Sequence, residues 1–186
     1  MTSAAHRSRR RAGAAVLVLV AVAACGRDRG DARTDFDARI QDYMALHRRL
    51  ASELPPPAAS SDATTIETRR RAFAAKLGPA LAAADAPRVF TPAIATALRR
   101  RLATVLQGGD GKNVRGDILD ANPAGLRVSP GVPYPESAPL STVPSGVLAV
   151  LPALPDALEY RFVDHALILR DVEANVVVDV LPDAIA

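Results

Sequence analysis

The sequence predicts an α+β fold, in which an N-terminal three-helix region packs with a C-terminal three-stranded antiparallel meander. Apolar residues recur at helical spacing through the N-terminal half, and from Leu158 onward they follow the pattern of strands. The links between the strand-like runs are too short for crossovers, so neighbouring strands must be antiparallel. These patterns place a single α+β domain at residues 35–186, made of a helical part at 35–128, a proline-rich loop at 129–157 and strands at 158–186.

The first predicted helix runs from about Asp35 to Glu53. Thr34 and Asp37 have the spacing of a capping box at its start. The three prolines that follow cannot donate backbone hydrogen bonds, so they end the helix. One stripe at helical spacing carries the side chains expected to be buried: Phe36, Ile40, Tyr43, Met44, His47, Leu50 and Leu54.

A second helix is predicted over about Thr65 to Ala84, with a capping box at Thr64–Glu67 and a break or kink at Gly78-Pro79. The third begins at Thr91, an N-cap residue followed by proline, and ends at the glycines of residues 108–111. Each apolar stripe can be buried only against another element, so the three helices are expected to pack together.

The C-terminal part is divided by prolines. Val114 to Leu119 is a candidate short helix, and five prolines exclude regular structure from residues 129–144. That loop is predicted to be ordered and held by Val132, Tyr134 and Leu140, with short helical turns after it at Ser145–Leu151. The predicted strands are Leu158–Val163, Ala166–Arg170 and Asn175–Leu181.

Residues 1–24 have the layout of an export signal. Arg7, Arg9, Arg10 and Arg11 precede an uncharged apolar run from Ala12 to Ala24. This run is shorter than the roughly twenty residues that a membrane-crossing helix needs. The segment Val22–Cys25 resembles the bacterial lipobox, in which the cysteine is lipidated on sulfur and becomes the first residue after cleavage.

The sequence therefore predicts a lipoprotein signal peptide at 1–24 and a lipidated tether at 25–34, mobile and anchored through Cys25 in a bacterial cell envelope. Gly26 stands where an aspartate would retain such a protein at the inner membrane, which favours the outer membrane facing the periplasm. Two alternatives stay open: an ordinary secretory signal with a coincidental cysteine, and a twin-arginine signal suggested by Ser8-Arg9-Arg10.

The charge of the exported part argues against nucleic acid as a partner. The signal holds four of the 23 basic residues and none of the 20 acidic ones, so residues 25–186 carry a formal charge of −1. Because Cys25 is the only cysteine, neither an internal disulfide nor a cysteine zinc site can form.

No catalytic, cofactor-binding or metal-ligating residue is predicted. His47 is expected to be a partly buried residue with one hydrogen bond, and His165 a solvated turn residue beside Asp164. Two separated histidines do not supply the three or four ligands of a zinc or nickel site. The acidic cluster does not have the spacing of a calcium loop: Asp110, Asp117, Asp120 and Asn122.

Two arginine triplets, Arg69–Arg71 and Arg99–Arg101, are the remaining charged feature. Successive helical residues point in different directions, so neither triplet makes a patch alone. Two such helices side by side could present a basic surface to anionic lipid headgroups, whereas the simpler interpretation is solvated surface charge.

The C-terminal part resembles an uncharacterised family of exported proteins and lipoproteins from soil bacteria. The resemblance lies in Tyr134-Pro135, Pro139-Leu140, Leu151–Pro155 and the run from Glu159 to Ala186. The final hairpin is also distantly similar to the tail of the RcnB family, periplasmic proteins of nickel and cobalt homeostasis. These resemblances imply a small antiparallel sheet and an envelope location, without any site residue.

The function expected from the sequence is a binding or structural role at a membrane surface, not an enzymatic one and without a cofactor. An envelope protein or an anionic lipid headgroup is the expected partner. One alternative is an accessory role in periplasmic metal homeostasis, and another is a hydrolase with dispersed catalytic residues.

Overall fold

The α+β fold is confirmed. The computed structural model describes residues 13–56, 62–122, 125–138 and 142–185, and describes residues 13–30 by their backbone alone. The elements in chain order are α1 (Gly13–Ser52), α2 (Ala63–Ala82), α3 (Pro92–Leu106), α4 (Gly111–Asp120), α5 (Ser145–Leu148), β1 (Leu158–Val163), β2 (Ala166–Asp171) and β3 (Val176–Leu181). The arginines predicted to begin the export signal and the loop residue Leu140 lie outside the described residues.

The start of the first helix was predicted wrongly. Helix α1 begins at Gly13 and runs without a break to Ser52, so the segment expected to be a mobile tether at 25–34 is helical. No proline interrupts residues 13–52, so nothing in the chain requires a new helix start at Thr34. An ion pair one turn apart, Arg33 Nε to Asp37 Oδ2 at 3.0 Å, supports the helix at the predicted boundary.

The second helix also starts at another cap. Asp62, not Thr64, is the N-cap of α2, and its side chain accepts a hydrogen bond from the backbone N–H of Thr65 at 2.9 Å. Helix α2 continues through Pro79 to Ala82, so the predicted break is absent there. The predicted cap of α3 is confirmed, since the Thr91 hydroxyl accepts a hydrogen bond from the N–H of Ile94 at 3.4 Å.

The three strands form the predicted antiparallel meander in the order β1-β2-β3. Strand β1 pairs with β2 without interruption, and the pairing of β2 with β3 shifts between Leu169 and Arg170. One face of the sheet belongs to the main core with the helices. The other face carries a smaller apolar cluster, which packs against Tyr134 of the proline-rich loop.

The proline-rich loop also covers the outer edge of β3. Gly131 N–H donates to the Val177 carbonyl at 2.8 Å, Val177 N–H donates to the Val132 carbonyl at 2.9 Å, and Tyr134 N–H donates to the Asn175 carbonyl at 2.8 Å. Prolines cannot donate the backbone hydrogen bonds of a regular strand pairing, but the residues between them form single hydrogen bonds with β3. The loop therefore satisfies a strand edge that would otherwise be open.

A glycine pair lets the loop approach helix α2. A Cβ on Gly78 would lie 2.7 Å from the carbonyl oxygen of Gly131, closer than real Cβ atoms come. Gly131 has φ of +84°, a left-handed conformation that favours glycine. Gly78, before Pro79, is thus required for close packing. The sequence pattern alone had suggested that it marks a site of bending.

Helix α1 is the centre of the helical layer, in contact with both α2 and α3, while α2 also contacts β3. The side chains that close the core come from all three helices and the sheet, and those that are fully buried include Phe36, Tyr43, Phe73, Leu77, Leu81, Leu102, Leu167 and Leu169. Over the described residues, no helix is both long enough and apolar enough to cross a bilayer.

A buried carboxylate joins β3 to the segment between α2 and α3. Asp179 is 5% exposed, and its Oδ2 accepts hydrogen bonds from the backbone N–H groups of Val89 at 2.7 Å and Phe90 at 2.8 Å. These two donors precede the cap of α3 and have no helical partner. Asp179 therefore fixes the entry of α3 onto the sheet.

We expect Asp179→Ala to lower the free energy of unfolding by about 2–6 kcal/mol, because it leaves two backbone donors unpaired at a cost of about 1–3 kcal/mol each. Urea unfolding followed by circular dichroism measures the change. Asp156→Ala, at an exposed position, is the matched control and should change stability little. An equal effect of the two substitutions would contradict the role given to Asp179.

Candidate functional site

The most deeply buried charged group among the described residues is the carboxylate of Asp171. Asp171 is the last residue of β2 and is 0% exposed. Its Oδ2 accepts hydrogen bonds from the Tyr43 hydroxyl at 2.7 Å and from Nδ1 of His47 at 2.7 Å. Its Oδ1 accepts a hydrogen bond from the N–H of Ala174 at 2.7 Å. Three donors therefore compensate the carboxylate for the loss of water.

His47 lies between this carboxylate and a second one. Its Nε2 is 3.4 Å from Oε2 of Glu173, and its ring meets the Phe73 ring edge-on with centroids 4.9 Å apart. Glu173 in turn pairs through Oε1 with Arg69 of α2 at 3.0 Å. We call this set the Asp171 network: Tyr43, His47, Arg69, Asp171 and Glu173.

The positions of these residues follow from local structure. Tyr43 and His47 are four residues apart on α1, so they lie on one face of the helix. Asp171 ends β2, and Glu173 lies in the tight turn to β3, where Asn175 adopts φ of 53°. Asparagine tolerates this left-handed conformation better than most residues. The Asp171 network therefore ties α1, α2 and the β2–β3 turn together at one point.

The surroundings favour a protonated His47. The hydrogen bond to Asp171 raises the pKa of His47; burial opposes this, and the charges of Asp171 and Glu173 add to the rise. Burial raises the pKa of the Tyr43 hydroxyl, and the negative charge of Asp171 raises it further. The network therefore favours an imidazolium between the two carboxylates, with Tyr43 as a neutral donor.

A histidine oriented by a carboxylate can serve as a general base when its other nitrogen faces a substrate. Here the other nitrogen of His47 faces Glu173, and His47 is 6% exposed. His47 lines neither of the two main cavities, although Arg69 of the network lines the second. This arrangement is suited to joining elements and to sensing pH.

The larger cavity is a groove of about 490 Å³ between α1 and α3, which we call the α1–α3 groove. Apolar side chains make up its inner surface, including Phe36, Ile94, Leu98 and Pro152. Its charged lining residues are Asp31, Arg33, Asp35, Arg100 and Arg101. A second cavity, of about 370 Å³, lies beside Thr64, Thr68 and Arg69 at the start of α2.

Most arginines of the two triplets hold the fold together. In the first triplet Arg69 pairs with Glu173, Arg70 with Glu136 and Arg71 with Glu67. In the second, Arg99 donates to the Pro182 carbonyl at 2.8 Å and Arg101 to the Val150 carbonyl at 3.3 Å. Arg100 is exposed and makes no hydrogen bond or ion pair with any described residue.

The other face of the sheet carries a second ionic cluster that the sequence did not predict. Glu159 accepts hydrogen bonds from Arg161 and Arg170, and Arg170 Nε donates to the Asn175 side chain at 2.8 Å. The guanidinium of Arg170 also lies 5.6 Å from the ring centroid of Tyr134. Burial raises the pKa of Glu159, but the hydrogen bonds from the two arginines outweigh it and lower the pKa overall.

The residues singled out from the sequence lie where simple structural roles place them. His47 is more deeply buried than predicted and contacts two carboxylates where one hydrogen bond was expected, and His165 is exposed in the β1–β2 turn. Within the described ranges, no three His, Cys, Asp or Glu side chains approach closely enough to hold a metal, which includes the acidic cluster around α4. Cys25 lies on α1, where only the backbone is described.

The partner of His47 was missed because it is 124 residues away along the chain. The one available signal was Asp171 itself, a charged residue at the end of an apolar strand and before a short turn. The chain matches no protein-family model, no curated protein and no solved structure. The resemblances noted in the sequence therefore stay predictions, and function must be argued from the groove, the network and the N-terminal motif.

We expect the folded protein to lose stability as pH rises through the raised pKa of His47, because the imidazole then loses its proton. The contribution of His47 is complete below 6.5, the ordinary pKa of histidine, and is lost as pH rises through the higher pKa of the folded state. Urea unfolding at about pH 6 and about pH 9 measures it. The loss should be smaller in His47→Gln than in the wild type.

His165→Gln is the control, since it removes the other histidine of the domain from an exposed turn. It should keep the pH dependence of the wild type. If His165→Gln abolished the dependence and His47→Gln retained it, the assignment to the Asp171 network would be wrong.

Proposed function

We propose that this protein is a lipid-anchored protein of the bacterial cell envelope that acts by binding, not by catalysis. The observation that carries the proposal is the position of Cys25. It is the only cysteine of the chain, and it follows a basic segment, an apolar run and two small residues in the order of a lipobox. A thiol at that point is the group that an acyl anchor requires.

The course of α1 supports this location. The helix continues from Cys25 into the domain, where Phe36 is the first fully buried side chain among the described residues. Eleven residues of helix span about 16 Å at 1.5 Å each. A lipid on Cys25 would thus hold the domain close to the membrane surface. Two or more acyl chains are needed for stable attachment, as one binds only marginally.

The distribution of polar groups supports a binding role. The charged side chains that meet in the interior are bound to one another at the junction of helices and sheet. The α1–α3 groove, by contrast, is open to solvent and has Arg100 on its lining. An apolar groove with a few charged groups is the usual form of a ligand site. The outer membrane, facing the periplasm, is the proposed location because Gly26 follows the cysteine.

A hydrolase with dispersed catalytic residues is the second candidate, and the His47–Asp171 pair is the observation that favours it. It would require Glu173 to move away from Nε2 of His47. Ester hydrolysis that is present in the wild type and lost in His47→Gln would support this candidate. The metal-homeostasis alternative has no comparable cluster in its favour among the described residues.

The anchor is tested with Cys25→Ser, expressed in a Gram-negative host fed a radiolabelled fatty acid. We expect the wild type to incorporate label and to lose residues 1–24, and Cys25→Ser to stay unlabelled and uncleaved. The control is Gly26→Asp, which keeps the thiol; it should remain labelled but move from the outer to the inner membrane fraction. Normal labelling and membrane attachment of Cys25→Ser would refute the proposal.

A further inference from the structure

We propose that the α1–α3 groove binds a phospholipid of the membrane, with an acyl chain on its apolar surface and the phosphate at Arg100. This inference rests on the lipid-anchored location proposed above and adds the chemical class of the ligand. It is carried by the shape and lining of the groove, by the state of its charged groups, and by its position on α1.

The size and lining of the groove suit an amphiphile. Its volume of about 490 Å³ lies within the range of small-molecule sites, about 300–1,000 Å³. The accessible apolar surface is formed by Ala32 of α1 and by Ala93 and Ala97 of α3. Beneath them lie the buried side chains of Phe36, Ile94 and Leu98. The small alanines leave the space that larger side chains would fill. A methylene chain laid along them would bury apolar area without requiring polar partners.

The charged groups of the groove differ in availability. Asp35 accepts a hydrogen bond from Arg39 at 3.1 Å and is thereby neutralised, and Arg33 is paired with Asp37. Arg101 donates to a backbone carbonyl. Arg100 is exposed and has no hydrogen bond or ion pair with any described residue. The available cation is therefore Arg100, whose planar guanidinium is suited to two hydrogen bonds with a phosphate.

The position of the groove selects a lipid over a free phosphate compound. Asp31, at one end of the lining, is six residues beyond Cys25 on the same helix, a rise of about 9 Å. If Cys25 carries the anchor, the groove is at the end of the domain nearest the membrane. The bilayer is then the nearest source of a molecule with both an acyl chain and a phosphate. Asp31 would lie on the headgroup side, where it can accept from an ammonium or hydroxyl group.

The test is native mass spectrometry of the lipoprotein purified from its envelope in a nonionic detergent. We expect the wild type to retain one phospholipid per chain, and a titration with dihexanoylphosphatidylglycerol to displace it. Arg100→Glu should weaken this binding at least about tenfold, because it removes both charge-assisted hydrogen bonds and places a negative charge beside the phosphate. Ala97→Leu, which fills the apolar surface while leaving the charges unchanged, should weaken it as well.

Arg48→Glu is the matched control, with the same change of charge at an exposed position on α1 that does not line the groove. It should bind phospholipid as the wild type does. Equal weakening in Arg48→Glu, or unchanged binding in Arg100→Glu, would overturn the proposal. The proposal would also be overturned if a nonionic detergent with the same chain length displaced the bound lipid as efficiently as dihexanoylphosphatidylglycerol does. Circular dichroism melting curves of all variants separate loss of binding from loss of fold.

The same spectra distinguish the acyl anchor on Cys25 from the phospholipid bound in the groove. A chain without acyl mass on Cys25 would refute the envelope anchor. A fully acylated chain without a bound phospholipid would leave the anchor in place and refute the groove as a lipid site.

Discussion

The packing of α1 on the sheet depends on a buried carboxylate at the end of β2. Asp171 accepts hydrogen bonds from two side chains of α1 and from the turn that begins β3, so it fixes the helical layer and the sheet in one register. A carboxylate without solvent exposure is tolerated only because every donor is in place. Any movement of α1 along the sheet would separate those donors, and the hydrophobic contacts around them would not oppose a small slide as strongly.

Local sequence patterns predicted the elements well, and failed where contacts are distant. The stripe from Phe36 to Leu50, the cap at Thr91 and the three strands are confirmed because spacing and capping are properties of neighbouring residues. The predicted start of α1 was wrong because the helix already begins upstream of Thr34. The N-cap of α2 is Asp62, not the predicted Thr64. The partners of His47 and Arg170 were not predicted, because nothing in a local window says which strand will lie beside α1.

Most arginines of the two triplets make contacts within the protein and do not form a basic surface. The two triplets hold loops and chain ends: Arg69 binds the β2–β3 turn, Arg70 the proline-rich loop, and Arg99 the segment after β3. A side chain with five donors can satisfy several carbonyl and carboxylate oxygens at once, which suits a chain with so many prolines. Arg100, on the lining of the α1–α3 groove, is the exception, since it makes no hydrogen bond or ion pair with any described residue.

Both carboxylates that lock the helices, Asp171 and Asp179, come later in the chain than α1, α2 and α3. The bonds they make close loops of 124 and 90 residues. A polypeptide that emerges N-terminus first from a narrow channel presents α1, α2 and α3 before either carboxylate. Its helices then lack these hydrogen bonds until β2 and β3 have followed, so the fixed arrangement of helices and sheet forms late.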